Sequence, residues 1–270
     1  MSFMFPPPSL PLPGEILLIT DELASPADFL LHRSLSTHLK ESKLSYAIIL
    51  SVSESLARWK AVAGRSVGRI PSPLALNADY RCSKGVNLAQ LLSSGALTLL
   101  EYTSEEPFAM PDAGADPGVP LKALLGRLRD TLVQRRGGET PEARTLVILE
   151  DIAALEWIGT PLLDLSRFAR ALCATCRQFN AALIVRHHVV TPGEPDDLLR
   201  LLMQLCTYHM DVLPLSSGRS GAVSGQVALH AGPSAIDPPF RLISRSDAVH
   251  YRLTDAGSVF FDRGTGGGVL

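Results

Sequence analysis

Continuous apolar runs of strand length alternate with segments of helical spacing up to residue 188, and this alternation limits the folds open to the chain. The runs lie at 15–20, 44–52, 95–102, 144–151 and 181–188. A strand that is apolar at every position is buried on both faces of its sheet, and strands separated by helices pair in parallel through crossover connections. The pattern therefore predicts an α/β protein with a largely parallel central sheet and helices on both faces.

The pattern changes after about residue 207, where short apolar segments are separated by turns and no long helix intervenes. These segments are 207–215, 224–232, 248–254 and 258–264. Short strands with turn residues between them are typical of hairpins. We therefore expect a C-terminal β-hairpin extension of the same sheet, so that residues 14–270 form a single domain.

Two segments lack the composition of a packed element. Residues 5–13 contain five prolines, so we interpret residues 1–13 as an extended, disordered leader. Residues 103–120 are acidic, rich in proline and glycine, and long for a connection inside a domain. We expect them to form a flexible insertion.

The composition argues against several classes of protein. The formal net charge is −2, so the chain has no global basic field with which to hold nucleic acid by itself. No apolar run approaches the roughly 18 residues of a membrane span, and the start lacks the pattern of a secretory signal. We therefore expect an intracellular protein, cytoplasmic and also nuclear, with reduced cysteines. Cys173 and Cys176 form a single C-x-x-C pair inside a predicted helix, which favours core packing over a metal site.

The turn after the first strand lies where nucleotide-binding α/β proteins place their phosphate loop. A working loop needs glycines, so that backbone N–H groups converge on phosphate, and a lysine for the β/γ charge. Between Thr20 and Phe29 there is neither, although Ser25 is present. The sequence thus predicts a degenerate phosphate loop and no catalytic residues.

The fourth apolar run ends in two acidic residues, Glu150 and Asp151. Such folds hold the carboxylate that orients magnesium and water at this position, although acids at strand ends also commonly cap the following turn. We interpret Ser25, Glu150 and Asp151 as remnants of a nucleotide site.

Four residues are candidates for RNA contact. Arg186, His187 and His188 end the fifth apolar run, at the edge of the sheet that carries ligand-binding loops in this topology. Arg219 lies at the tip of the Gly- and Ser-rich segment 216–225. A solvated strand end and an ordinary turn are the alternatives.

In this order, the features resemble the Elongator complex protein 6 family. The resemblance rests on "GEILLITDELASPADFLLHRSL", "LVILEDIAALEWIG", "LSSGRSGAVSGQVALH" and "HYRLTDAGSVFFDRGTGGGVL". In the first of these, "ITD" and a proline-containing turn stand in place of the glycine–lysine loop. The similarity runs from about residue 14 to the C-terminus.

The resemblance implies a RecA-like fold and a non-catalytic role. Members of this family assemble with the fourth and fifth Elongator proteins, themselves RecA-like, into a heterohexameric ring. That ring binds tRNA under the influence of ATP, and the whole complex modifies the wobble uridine through a catalytic subunit elsewhere. The chain alone would bind no cofactor or metal, and ATP would sit at ring interfaces.

An enzyme is the alternative hypothesis: an active RecA-like NTPase with an atypical phosphate loop. Ser25 and backbone amides would bind phosphate, Asp151 would hold magnesium, and Glu101 or Glu150 would activate water. The missing lysine separates the two hypotheses. The nearest cations on the following helix are Arg33 and Lys40, which lie too far along it to replace that lysine.

Overall fold

The computed structural model describes residues 5–7, 9–65, 87–102, 118–136, 143–218, 221–254 and 257–263. The strands are β1 (Ile16–Glu22), β2 (Tyr46–Ser51), β3 (Leu97–Glu101), β4 (Thr145–Leu149), β5 (Ala182–Val189), β6 (Tyr208–Leu213), β7 (Gly225–Ala231), β8 (Val249–Thr254) and β9 (Gly257–Phe261). The helices are α1 (Asp28–Glu41), α2 (Leu56–Arg65), α3 (Leu88–Ser93), α4 (Val119–Arg136), α5 (Ala153–Trp157), α6 (Leu162–Gln178) and α7 (Asp197–Leu205). A 3₁₀ turn, Arg245–Asp247, precedes β8.

Within the described residues, the strands form one sheet in the order β3-β2-β4-β5-β1-β6-β7-β8-β9. Strands β1 to β6 pair in parallel, and β7 to β9 continue the sheet as antiparallel neighbours. The mostly parallel sheet with its C-terminal hairpins confirms the predicted fold class and is consistent with a RecA-like fold.

Strand β6 differs from its prediction as a hairpin strand. It pairs in parallel with β1, with Leu17 opposite Tyr208, and antiparallel with β7 on its other edge. The helix α7, which the sequence analysis did not assign, provides the crossover that a parallel neighbour requires. Asp196 caps this helix by accepting the Leu199 N–H at 2.6 Å.

The two faces of the sheet each support a separate apolar core, and this explains why the parallel strands are apolar at every position. Leu17 and Ile19 of β1 face α1 to α3, whereas Ile16 and Leu18 face α4 to α7. Successive side chains of a strand point to opposite faces, so both sets become buried. None of the helices in the described parts of the chain is long and apolar enough to cross a membrane.

The described part of the leader packs against the protein. Phe5 and Leu10 are buried in the core beneath α1, and the Phe5 ring lies edge-on to Phe260 of β9 at 5.4 Å between centroids. Arg33 of α1 lies over the same Phe260 ring at 5.1 Å. The sequence predicted a disordered leader because of its prolines, whereas the structure buries two of the apolar side chains of this segment, Phe5 and Leu10, against the core.

The flexible insertion predicted at 103–120 falls largely outside the described residues, which resume at residue 118. Helix α4 then begins at Val119 and buries Leu121, Leu124, Leu128 and Leu132, which are three or four positions apart and lie on one face of the helix.

Replacing Phe5 by alanine tests the role of the leader. Because Phe5→Ala removes a buried ring, we expect the free energy of unfolding to fall by about 3 kcal/mol. Denaturant unfolding of the full chain measures this loss, with Leu253→Ala as a control, since Leu253 is half-exposed on the neighbouring β8. Equal small effects of both changes would mean that the leader is not part of the core.

Candidate functional site

A buried ion-pair network lies at the carboxyl edge of the parallel strands. The Arg186 side chain of β5 contacts the Asp21 carboxylate of β1 through Nε at 3.0 Å and Nη2 at 2.9 Å, both to Oδ2. Its Nη1 donates to Asp28 Oδ1 at 2.9 Å. Asp21 and Arg186 are both buried. Burial alone would lower the pKa of Arg186, but the charges of Asp21 and Asp28 outweigh it and raise that pKa, so the arginine stays charged.

Asp21 also organises the start of α1. Its Oδ2 accepts the Ala27 N–H at 2.6 Å, and its Oδ1 lies 3.1 Å from His188 Nδ1. A helix N-terminus carries partial positive charge and free N–H groups, which is why phosphates bind there. Here Asp21 and Asp28, carboxylates of the chain itself, occupy that position.

Ser25, the hydroxyl residue of the degenerate loop, is buried and turned toward β6. Its hydroxyl lies 3.5 Å from the carbonyl oxygen of Val212, and its N–H donates to Glu22 at 2.9 Å. The Ser25 hydroxyl thus packs the turn onto the sheet.

Glu150 is buried and holds the turn between β2 and α2. Its carboxylate accepts the N–H groups of Val52, Ser53 and Glu54 at 3.1, 3.1 and 3.2 Å. The hydroxyl groups of Ser53 and Ser51 add contacts at 2.5 and 3.3 Å. A carboxylate with this many donors already satisfies its acceptor capacity, so the role of Glu150 in this geometry is to shape the turn.

Asp151 precedes the N-cap residue of α5 and hydrogen-bonds to the first turn of this helix. Its Oδ1 accepts the Ala153 N–H at 3.0 Å. Burial raises the pKa of Asp151 to about 6, although the charge of Arg186 pulls it in the opposite direction. Ser25, Glu150 and Asp151 therefore lie at the same edge of the sheet, and each of them hydrogen-bonds within a different turn or loop contact.

The residues predicted to contact RNA are less accessible than a solvated strand end would make them. Arg186 is held by its two carboxylates, and His187 is buried on the opposite face of the sheet, where burial lowers its pKa. His188 keeps some exposure and meets Trp157 edge-on at 5.8 Å between ring centroids. The difference arises because β5 is a central strand whose end is covered by α5 and the turn before α1. Arg219 lies outside the described residues.

A second polar network ties β1 to β6. The Thr20 hydroxyl donates to Asp211 Oδ1 at 3.0 Å and lies 2.7 Å from His209 Nε2, while Arg245 Nε donates to Asp211 Oδ2 at 2.6 Å. Burial lowers the pKa of His209 to about 4, despite the opposing charge of Asp211. His209 is therefore neutral at physiological pH and serves as a structural hydrogen-bonding group. In the part of the chain that the structure describes, no group of three His, Cys, Asp or Glu side chains is arranged to hold a metal ion.

Comparison with known proteins identifies the family. A family profile described as Elongation complex protein 6 matches residues 6–255. The chain belongs to this family. It is also 24% identical over 268 residues to Elongator complex protein 6 of Rattus norvegicus, which covers 95% of this chain and 93% of the rat protein. The family suggested by the sequence motifs is thus confirmed, and membership supports a role as an accessory Elongator subunit.

Reasoning from the sequence missed two residues of the buried ion-pair network, Asp21 and Asp28. The available signal was an isolated acid near the end of one apolar strand and an isolated arginine near the end of another. Charged residues inside otherwise apolar strands are expected to pair, because an unpaired buried charge is costly. That argument predicts a partner for Arg186 but does not identify it.

Removing the arginine should leave Asp21 buried without a countercharge. We expect Arg186→Leu to lower the free energy of unfolding by about 3–5 kcal/mol, as for other broken buried ion pairs. Chemical denaturation provides the measurement. Arg200→Leu is the matched control, since Arg200 pairs with Asp197 at 3.0 Å on the exposed surface of α7 and its loss should cost less than about 1 kcal/mol. Equal costs would contradict the assignment.

Asp151 predicts a pH dependence of stability. The folded-state pKa of Asp151, about 6, lies above the ordinary aspartate value of 3.8, so the contribution of Asp151 to stability is fully present below about pH 4 and is lost as the pH rises toward 6. We therefore expect Asp151→Asn to stabilise the protein relative to wild type by about 1–3 kcal/mol at pH 7 and much less at pH 4. Unfolding curves at the two pH values test this; a gain that does not change with pH would refute the shifted pKa.

Proposed function

We propose that this chain is a non-catalytic accessory subunit of the Elongator complex that joins the fourth and fifth Elongator proteins in a heterohexameric RecA-like ring. The ring would bind tRNA and support modification of the wobble uridine by the rest of the complex. The observation that carries the non-catalytic role is the network of Asp21, Arg186 and Asp28 at the start of α1.

This network makes phosphate binding at α1 unfavourable. An incoming phosphate would meet the Asp21 and Asp28 carboxylates, and it would have to compete with them for Arg186. Breaking a buried ion pair costs several kcal/mol. The turn between Thr20 and Phe29 supplies no lysine to compensate and no glycine to bring further backbone N–H groups close to a phosphate.

The architecture of the sheet fits a scaffold role. Both faces of the parallel sheet are covered by helices, and the hairpins extend it by further strands. A subunit whose interfaces depend on this sheet must keep the fold even when its own nucleotide site is lost. Nucleotide would then bind at ring interfaces to which this chain contributes only surface.

The tRNA contacts of the ring would be shared among subunits. With a formal net charge of −2, this chain cannot by itself supply the neutralisation of phosphates that dominates affinity for RNA. His188 and Arg219 are the local candidates for a contribution, because Arg186 is already paired inside the protein. In this proposal the protein acts in the cytoplasm and the nucleus, within the Elongator complex.

The mass of the assembly tests the proposal. We expect this chain, co-expressed with the fourth and fifth Elongator proteins from the same source, to elute as one species whose mass by light scattering corresponds to two copies of each chain. The lone chain should neither bind ATP in calorimetry nor hydrolyse it above background. Two outcomes would refute the proposal. One is a chain that stays out of the complex; the other is ATP turnover by the lone chain that Asp151→Asn abolishes, which would establish the NTPase alternative.

A further inference from the structure

Large apolar side chains are exposed at the carboxyl edge of the sheet, outside the ion-pair network. Four of them form what we call the apolar edge surface, with exposed fractions of 86% for Leu23, 57% for Trp157, 60% for Ile158 and 65% for Val190. Single exposed apolar residues are common on protein surfaces, but a cluster that includes tryptophan is typical of an interaction site.

The strand register and two local contacts bring these residues together. Glu22 pairs with Val189 at the ends of β1 and β5, so Leu23 and Val190 follow at neighbouring strand ends. One register step earlier, His188 lies opposite Asp21, and the Trp157 ring contacts His188. Ile158 adjoins Trp157 in the chain.

Helix α5, which carries Trp157, is held in place by local contacts. The Thr160 N–H donates to Leu155 at 3.1 Å and closes the chain between α5 and α6. Ala153 and Leu155 of α5 are buried, so the helix that carries Trp157 is anchored in the core. An anchored tryptophan loses little conformational entropy on binding, which favours affinity.

Carboxylates surround one side of the apolar edge surface. Glu156, Glu194, Asp196 and Asp197 are all exposed. The pKa of Glu156 is raised, first by burial and then by the charges of Asp196 and Asp197, which shows that the three carboxylates lie close together. Among the described residues, Arg200 is the cation paired on this rim, with Asp197 at 3.0 Å. The rim is therefore acidic.

We propose that the apolar edge surface and its acidic rim form a docking site for a segment of the neighbouring ring subunit that carries large apolar side chains beside Lys or Arg. The identity of the occupant rests on the function proposed above. Its chemistry rests on this chain: the apolar centre would be desolvated against the partner, and the carboxylates would pair with its cations.

Two other occupants are disfavoured by the same charges. An RNA strand would bring its phosphates against Glu156, Asp196 and Asp197, whereas RNA sites are basic. A second copy of this chain using the same surface would place one acidic rim against another, because a two-fold interface is self-complementary. A protein segment that carries both basic and apolar side chains avoids both of these charge repulsions.

The test measures association of the full-length chain with the purified pair of fourth and fifth Elongator proteins. We expect Trp157→Ala to weaken this association by about 30-fold or more, the effect of a hot-spot residue. Ile236→Ala is the matched control; Ile236 is 92% exposed and follows β7, at the opposite edge of the sheet. The affinity of the Ile236→Ala variant for the partner pair should stay within about threefold of wild type, because surface substitutions outside an interface change the free energy little.

Two further variants make the test independent of any folding defect of Trp157→Ala. Ile158→Ser removes an exposed side chain from the surface and should also weaken association. Glu156→Lys reverses one rim charge; it should slow association at low salt and lose that effect at high salt, where charges are screened. Circular dichroism and thermal unfolding show whether each variant is folded.

The outcomes separate this inference from the proposed function. If wild type and all variants associate equally, the docking site is refuted and the ring proposal stands. If wild type itself does not associate, both are refuted. If the variants assemble normally but the assembled complex retains less tRNA, the surface contacts RNA and the protein-docking assignment is overturned.

Discussion

A single buried arginine sets the architecture of the carboxyl edge of the sheet. Arg186 lies on the central strand β5 and would be costly to bury alone, but it contacts Asp21 on β1 and Asp28 on α1. Asp21 in turn holds the first turn of α1 through the Ala27 N–H. The strand pairing, the closed turn and the start of the helix are therefore mutually dependent. The position where a related fold would hold phosphate is filled by the chain itself.

This arrangement accounts for the side chains at the turn after β1, where nucleotide-binding α/β proteins place their phosphate loop. The parallel order of the sheet still brings strand ends and helix N-termini to one edge, because that follows from the crossovers. The groups at that edge make hydrogen bonds within the protein: Glu150 holds one turn, Asp151 accepts the first N–H of α5, and Ser25 packs against β6. A fold preserved in this way is consistent with membership of the Elongation complex protein 6 family and with a role carried by surfaces.

Two different features lie at the carboxyl edge of the sheet: the buried ion-pair network and the exposed apolar edge surface. The ion-pair network is internal and stabilises the chain, whereas the exposed side chains around Trp157 lie outside the two apolar cores. Exposed large apolar side chains carry a cost in solubility, and that cost is understood if another protein covers them. A closed ligand position beside an open apolar surface is the arrangement that the proposed docking role requires.

The sequence alone determined the fold class, because full burial of the parallel strands leaves a continuous apolar run that is visible without any tertiary information. It also determined the loss of the glycine–lysine loop, the hairpin strands of the C-terminal part and, through the order of its motifs, the family. Local patterns of this kind depend on neighbours within a few residues, so they can be recognised in the sequence without the structure.

The tertiary structure decided the rest. Arg186 and Asp21 are 165 positions apart, and only the strand register brings them into contact. The tertiary structure also pairs β6 in parallel with β1. It covers the end of β5, which the sequence analysis had predicted to be accessible to RNA. Pairings between distant residues depend on how the strands are ordered, and a linear pattern of apolar and polar residues does not encode that order uniquely.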